Sequence, residues 1–305
     1  MDICQKPYVR NFEITNICNY NCPICVDKDI EKGNVSIDIL EKVLSTNKDI
    51  FANKPIWLHY RGEPLINKDI FKIIEIFSKY NVPTMFSTNG LLLTEEVADK
   101  LIQSHIYRVV VSVMTLKREK YIEFRGKNNL VKILDNIEMF NKTIISSGSS
   151  INLQVMGLDY GQSEKEKVEF VSYFLKKGID VALHKYSDRA GTSNYKACDV
   201  TELEKRYPCE WLFDSMVILY DGSVTTCYYD LCNKNCMGNL KDFDYDIKKL
   251  WLSEKYNLLR QQHNCGEFQN ACKKCKDWKF NNSNVKGEEQ QYVTIFKPNG
   301  KVYNV

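Results

Sequence analysis

The stretch FEITNICNYNCPIC, residues 12–25, places three cysteines in one short loop directly behind a β-rich run. That run covers Val9–Thr15, and Cys18, Cys22 and Cys25 follow it with the spacing C-x3-C-x2-C. Three thiolates on one loop do not complete a closed four-ligand zinc site. They can bind three irons of a cubane cluster and leave the fourth iron open to another ligand. A zinc site completed by a distant His or Cys is the alternative, although the chain has only 4 histidines.

On either side of this loop, β-rich runs alternate with amphipathic helical runs over the first two thirds of the chain. Strands are predicted at Val9–Thr15, Ile56–Tyr60, Thr84–Ser87, Arg108–Val113, Ile151–Met156 and Val181–Tyr186. Helices are predicted near Ser36–Asn53, Lys68–Tyr80, Thr94–Ser104, Leu130–Ser146 and Ser163–Lys177. Such alternation specifies a parallel sheet with helical crossovers. Six units are too few for a full eight-fold barrel, so we expect an α/β fold built as a partial (β/α)6 barrel, with functional residues just after its strands.

Beyond about residue 187 the alternation stops and cysteines become dense. Met216–Leu219 and Val224–Tyr228 flank Asp221-Gly222, which is a good hairpin turn signal. A helix is predicted near Ile247–Gln261, and the tail YVTIFKPNGKVYNV indicates a second hairpin. We expect three parts: a partial barrel over residues 1–190, a small cysteine-rich α+β domain over residues 191–280, and a polar linker with a hairpin over residues 281–305.

Composition narrows the class of protein. The net charge of +3, from 42 basic and 39 acidic side chains, argues against a DNA-binding protein, which concentrates positive charge. No apolar run approaches the roughly 18 residues that a membrane helix needs, and no secretory signal is visible, so we expect a cytoplasmic protein. Because that compartment is reducing, the 12 cysteines favour metal or cluster ligation over disulfides.

Four short motifs occur in order, each directly after or at the end of a predicted strand. They are the three loop cysteines, Gly62-Glu63-Pro64, Ser87-Thr88-Asn89-Gly90, and Ser112 in Ser112-Val113-Met114. Together they resemble the signature of the radical S-adenosylmethionine superfamily over roughly residues 8–190. Tyr121–Gly126 also resembles the family's Y-x-x-x-R-G, with Arg125 as a candidate carboxylate partner. Two positions depart from the family pattern: Arg61 replaces a frequent Gly, and the usual acid after Ser112 is absent.

This resemblance implies a cofactor and a reaction. In that family the open iron of a 4Fe-4S cluster is chelated by the methionine moiety of S-adenosylmethionine, and one electron splits the carbon–sulfur bond. The resulting 5′-deoxyadenosyl radical abstracts a hydrogen atom from the substrate. By the same resemblance, the cluster ligands are the three loop cysteines, and the cofactor-binding residues are Gly62, Glu63, Pro64, Ser87, Asn89, Ser112 and Arg125.

A second set of cysteines lies in the C-terminal third. Cys209, Gly222 and Cys227 follow the spacing C-x12-G-x4-C, and Cys272 and Cys275 form a C-x2-C. With Leu250-Trp251 and Leu259-Arg260 between them, this order resembles the SPASM auxiliary-cluster region or its shortened form, twitch. The resemblance implies an auxiliary 4Fe-4S cluster on these four cysteines, and a Cys4 zinc ribbon fits the same spacing. Because no cysteine follows Cys275, we expect the twitch form.

Three further cysteines lie in this region: Cys232, Cys236 and Cys265. They form another metal site, replace one of the four ligands, or are surplus thiols, and the sequence leaves these alternatives open. Cys4 and Cys198 are expected to be structural or incidental. Arg189 follows the sixth predicted strand and is the predicted catalytic residue, because a cation there can hold a substrate carboxylate or hydroxyl. A solvent-exposed loop arginine is the alternative.

The combined pattern predicts an enzyme that makes a substrate radical and then removes one electron through the auxiliary cluster. That outcome is a dehydrogenation, as in a relative that oxidises an aminocyclitol alcohol. A peptide-modifying radical enzyme that cross-links or epimerises is an alternative, and a non-catalytic zinc or iron–sulfur module is a third class. The expected partners are a small-molecule or peptide substrate and an electron donor such as flavodoxin or ferredoxin, without nucleic acid or membrane.

Two clusters predict a definite iron content. After anaerobic reconstitution the protein should hold about eight irons, and about four once Cys18, Cys22 and Cys25 are all changed to Ala, because each cubane holds four. Iron and acid-labile sulfide assays measure both. A wild-type content near four would remove the auxiliary cluster, and zinc without sulfide would favour the binding module.

Overall fold

The structure is a computed structural model that describes residues 3–25, 30–187, 189–190, 203, 205–280, 282–287 and 291–304. Cys198 lies outside the described residues. Six strands come first: β1 (Tyr8–Phe12), β2 (Ile56–Trp57), β3 (Thr84–Thr88), β4 (Ile106–Met114), β5 (Asn152–Asp159) and β6 (Asp180–Lys185). Each pairs in parallel with the next. The predicted α/β fold with six parallel strands is therefore confirmed.

Helices connect these strands, as the alternation predicts. They are α1 (Ile37–Thr46), α2 (Lys48–Phe51), α3 (Ile70–Lys79), α4 (Glu95–Gln103), α5 (Arg118–Arg125), α6 (Leu130–Ser147) and α7 (Glu164–Leu175). Residues 36–53, predicted as one helix, form two, because the chain leaves helical geometry at Asn47. Helix α5 was not predicted, since its sequence REKYIEFR is mostly charged and lacks a clear apolar stripe.

The described part of the C-terminal third adds five strands and three α-helices. The strands are β7 (Ser215–Ile218), β8 (Ser223–Thr225), β9 (Cys236–Asn239), β10 (Val293–Phe296) and β11 (Val302–Asn304). The helices are α8 (Trp211–Asp214), α9 (Ile247–Trp251) and α10 (Glu254–Asn264). Both predicted hairpins form, and the helix predicted at residues 247–261 is divided between α9 and α10.

All eleven strands share one sheet, in the order β11-β10-β6-β5-β4-β3-β2-β1-β7-β8-β9. Strand β7 pairs in parallel with β1, and β10 pairs antiparallel with β6. Within the described residues the sheet is open, with β9 and β11 at its edges. The C-terminal hairpins therefore extend the parallel sheet at both sides. The division into three parts and the closure into a partial barrel stay predictions.

The two faces of the sheet differ in character. On β4, Val109, Val111 and Val113 belong to the main hydrophobic core, whereas Ser112 between them does not. Because side chains alternate between faces along a strand, one face of the sheet packs in that core, and the opposite face is available for a functional site.

Among the described residues, no helix is both long and apolar enough to cross a membrane.

Candidate active site

The cysteine loop leaves the sheet at the carboxyl end of β1. Cys18 and Cys25 are exposed and Cys22 is partly buried, and the N–H of Cys25 donates to the Cys22 carbonyl at 3.0 Å. Partial burial raises the pKa of the Cys18 thiol, and the nearby Glu63 carboxylate and the other two thiols raise it further. In the part of the chain that the structure describes, no three His, Cys, Asp or Glu side chains converge closely enough to hold a metal ion. The structure thus places the three thiols on one loop without grouping them around a common centre.

The segment before Cys18 is held by the buried side chain of Asn16. Its Nδ2 donates to the Glu31 carbonyl at 2.7 Å, and its Oδ1 accepts from the Gly33 N–H at 2.8 Å. The Ile17 carbonyl then accepts from the Glu63 N–H at 2.8 Å. The cysteine loop and the Gly-Glu-Pro loop are therefore joined through their backbones.

Gly62 makes this junction possible because it has no Cβ. A Cβ there would lie 2.5 Å from the Thr15 carbonyl oxygen and 2.7 Å from that of Ile17. Both neighbours are backbone atoms, so a side chain at this position requires one of the two loops to move.

Glu63 is fully enclosed and its carboxylate is held by three donors. Oε1 accepts from the Thr88 hydroxyl at 2.8 Å and from the Leu65 N–H at 3.2 Å, and Oε2 accepts from the Asn89 N–H at 2.7 Å. Burial raises the pKa of Glu63, and these three hydrogen bonds oppose the rise. Pro64 follows and opens a short 3-10 turn over Pro64–Ile66. The fixed carboxylate gives the loop one oriented negative group.

The other predicted cofactor residues lie around the same loop. The Asn89 amide donates to Asn19 Oδ1 at 2.7 Å, beside Cys18. Arg125 donates to the carbonyl and, at 2.9 Å, to the hydroxyl of Ser112, and its Nη1 lies 3.7 Å from Cys22 Sγ. Its described partners are thus a serine and a thiol. Ser87 contributes its N–H to His59 Nδ1 at 3.1 Å.

The four C-terminal cysteines predicted as ligands line one small interior cavity. Cys209, Cys227, Cys272 and Cys275 share its wall with Arg206, Asn235 and His263. The Tyr229 N–H donates to Cys227 Sγ at 3.2 Å, and the Asn235 amide donates to Cys272 Sγ at 3.3 Å. Burial raises the pKa of Cys209 to about 12 and holds those of Cys227 and Cys275 well above their usual range. Iron would supply the positive charge that stabilises the thiolates.

The three further cysteines without an assigned role are not among the residues that line this cavity. Cys232 and Cys236 are partly buried, and Cys265 is exposed at the end of α10. Cys4 is exposed and its thiol donates to the Lys6 carbonyl at 3.1 Å. The roles of Cys232, Cys236 and Cys265 stay predictions.

Around Arg189 lies a group of polar and aromatic side chains, which we call the chamber and define by its members: His59, His184, Arg189, Tyr228 and Tyr292. The ring centroids of His59 and Tyr228 are 6.4 Å apart, and those of His184 and Tyr292 are 5.3 Å apart. Burial and the Arg189 charge lower the pKa of His59 to about 3 and that of His184 to about 4, so both rings are neutral. Burial alone would lower the pKa of Arg189, but the tyrosines and the thiol of Cys25 raise it above its usual range.

Arg189 has a left-handed backbone conformation with φ of 55°, and its role as a substrate-facing cation stays a prediction. Sequence reasoning gives His59, in the predicted strand that runs into the Gly62-Glu63-Pro64 loop, two equal roles: packing or substrate contact. It missed His184, Tyr292 and His263. The alternation of side chains along β6 is the one signal that could have indicated His184, whereas His263 follows the Leu259-Arg260 motif in its helix without being part of it.

Comparisons with known proteins agree with this geometry. The sequence profile of the radical SAM superfamily matches residues 12–174, which is more than half of the chain. The chain therefore belongs to the radical SAM superfamily. A second profile, SPASM, described as an iron–sulfur cluster-binding domain, matches residues 209–276, a range that includes all four cysteines of the cavity.

Curated relatives share part of their length with the chain. The AdoMet-dependent heme synthase of Methanosarcina barkeri is 29% identical over 142 residues, which are 45% of this chain and 40% of the relative. The GTP 3′,8-cyclase of Campylobacter lari is 25% identical over 66% of this chain and 70% of its own. The chain thus spans less than half the length of the first of these proteins.

Solved structures share the fold over a greater length. Streptococcus suis SuiB bound to precursor peptide SuiA has a TM-score of 0.68 at 19% identity, covering 85% of this chain and 67% of that chain. BtrN in complex with AdoMet and 2-DOIA has a TM-score of 0.60 at 20% identity, covering 96% of this chain and 100% of that chain. At such identities the likeness shows a common fold.

Family membership implies a 4Fe-4S cluster and S-adenosylmethionine, and the SPASM match implies an auxiliary iron–sulfur cluster. The donor sets match these groups in number: three thiols on one loop would leave one iron open, and four thiols on one cavity wall would ligate every iron of a second cluster. The individual ligands stay predictions, as do the cofactor contacts of Gly62, Glu63, Pro64, Ser87, Asn89, Ser112 and Arg125.

The contact at Gly62 predicts a local loss of activity. Gly62→Ala should lower the rate of 5′-deoxyadenosine formation by about 100-fold, because a displacement near 1 Å at a reacting site has that effect. Liquid chromatography with mass spectrometry measures the product. Gly148→Ala is the control: its φ of 66° strains any side chain, but nothing lies within 4 Å of the new Cβ. Equal activity of Gly62→Ala and wild type would show that the two loops do not need this junction.

Proposed function

We propose that the protein is a radical S-adenosylmethionine oxidoreductase that dehydrogenates its substrate. The observation that carries the proposal is the position of the chamber. The positive charge of Arg189 interacts with the Cys25 thiol of the first cysteine loop and with Tyr228. Tyr228 directly follows Cys227, which belongs to the second cysteine set. A substrate in the chamber is therefore flanked by both cysteine sites.

When bound, S-adenosylmethionine with the first cluster would supply hydrogen abstraction on one side of the chamber. The auxiliary cluster would supply a one-electron acceptor on the other side. The substrate loses a hydrogen atom and then an electron and a proton, so the product is two hydrogens poorer. This order of events needs a single substrate pose close to both sites.

The chain's own residues provide that pose. Arg189 would hold a carboxylate or hydroxyl of the substrate, since a charge-assisted hydrogen bond is stronger than a neutral one. His59 accepts the Ser87 N–H at Nδ1 and is neutral, so its proton resides on Nε2, which makes it a donor toward the chamber. Tyr228 and Tyr292 supply hydroxyls and apolar faces that exclude water.

The similarity of the fold to BtrN over 96% of this chain supports a compact enzyme with a small-molecule substrate. The similarity to SuiB bound to its precursor peptide favours a second candidate function, modification of a peptide. A peptide cross-link also removes two hydrogens, whereas epimerisation removes none.

The electron-acceptor role predicts an uncoupling. Changing Cys272 or Cys275 to Ala should leave 5′-deoxyadenosine formation largely intact, because cleavage needs only the first cysteine site, while oxidised product falls sharply. Both products are quantified by mass spectrometry with the natural substrate.

Cys4→Ala is the matched control, since Cys4 is an exposed thiol that donates to the Lys6 carbonyl and belongs to neither cysteine set, and it should leave both yields unchanged. A parallel loss of both products together with soluble protein would assign the auxiliary cluster a structural role. A wild-type product of unchanged mass would contradict dehydrogenation.

A further inference from the structure

His263 combines full burial with an unused hydrogen-bond donor at the wall of the auxiliary cavity. It is 1% exposed, in the last turn of α10, and lines the cavity with the four cysteines. Its Nε2 has no hydrogen-bond partner among the described residues. A buried polar atom without a partner is destabilising, so such an atom needs a physical reason.

The backbone fixes which ring nitrogen carries the proton. Nδ1 of His263 accepts the N–H of Cys209 at 3.4 Å, so Nδ1 is unprotonated. An imidazole that accepts a hydrogen bond at Nδ1 is in its neutral form. A neutral imidazole has one N–H, and here it must reside on Nε2. His263 therefore presents a donor, in a tautomer set by the backbone of a predicted ligand.

The cavity wall provides sulfur atoms as acceptors for the Nε2–H donor. The four thiols share the cavity wall with the imidazole, and Arg206 Nε is a second buried donor there without a described partner. Phe268 packs edge-on against the His263 ring, with centroids 4.9 Å apart, and so restricts its rotation. Thiolate and sulfide atoms of a cluster accept N–H hydrogen bonds, and the number of these bonds is one of the factors that set its reduction potential.

We propose that His263 is a positioning residue that donates its Nε2–H to a sulfur of the auxiliary cluster and thereby raises the cluster's reduction potential. The inference rests on the proposed function, in which that cluster accepts the substrate's electron. A hydrogen bond to sulfur stabilises the more negative, reduced state, so it favours acceptance of the electron. The imidazole would also orient Cys209 through its backbone N–H.

The test is a redox titration of the auxiliary cluster, followed by EPR, in full-length protein that carries Ala at Cys18, Cys22 and Cys25. His263→Phe preserves packing against Phe268 but removes the donor. It should shift the ratio of reduced to oxidised cluster about tenfold toward the oxidised form, which is about 59 mV for a one-electron couple. His263→Gln, which can both accept and donate, should stay near the parent protein.

His105→Phe is the matched control, because His105 is exposed and should leave the potential unchanged. A second measurement does not depend on the folding of any variant. With 15N-labelled histidine, pulsed EPR of the reduced auxiliary cluster should show one weak nitrogen coupling. An unchanged potential in His263→Phe, an absent coupling, or a strong coupling that marks histidine as an iron ligand would each overturn the proposal.

Neither measurement uses substrate or S-adenosylmethionine, so the proposed function and this inference fail in distinguishable ways. If no cluster forms on the C-terminal cysteines, the electron acceptor is lost and both fail. If the cluster forms with a potential indifferent to His263, only the inference fails. If the potential shifts but no oxidised product is found, only the proposed function fails.

Discussion

A buried ion pair between Glu13 and Arg61 holds together the two segments that build the cofactor loops. Arg61 donates to both carboxylate oxygens of Glu13, at 2.7 Å and 2.6 Å. The Arg61 side chain is 7% exposed and that of Glu13 is 0% exposed. Burial raises the pKa of Glu13, and the guanidinium opposes that rise. Removing one partner of such a pair costs about 3–5 kcal/mol, because the other charge stays buried. Arg61 directly precedes Gly62, so the pair determines how closely that glycine approaches the cysteine loop.

The same pair joins the two cysteine sites through Tyr220, in the turn between β7 and β8. The Glu13 N–H donates to the Ile218 carbonyl at 2.8 Å, and the Tyr220 N–H lies 3.5 Å from the Glu13 carboxylate. The Tyr220 ring fits against Gly33, where a Cβ would lie 2.2 Å from it. Because Gly33 binds the Asn16 side chain ahead of Cys18, the C-terminal hairpin supports the first loop. The first cysteine loop and the β7–β8 hairpin therefore depend on one another.

The sequence predicted those features of the fold and the site that depend on a local sequence pattern. Strand–helix alternation identified six parallel strands, and motif spacing identified Glu63 and the four cysteines that the structure places on one cavity wall. It did not predict that β7 pairs with β1, because a parallel pairing over about 200 residues leaves no local signal. Nor did it indicate His263, whose importance arises only from its burial beside residues distant in sequence. The role of Arg61 was hidden in the same way, since its partner Glu13 lies 48 residues away.

The central claim is that Cys18, Cys22 and Cys25 carry the cluster at which S-adenosylmethionine is cleaved. The most direct measurement is the yield of 5′-deoxyadenosine and methionine from anaerobically reconstituted protein, reduced with dithionite and mixed with S-adenosylmethionine. We expect both products from the wild type and neither from the variant with Ala at all three positions, although that variant still binds the auxiliary cluster. Undiminished formation of 5′-deoxyadenosine by the triple variant would contradict the claim.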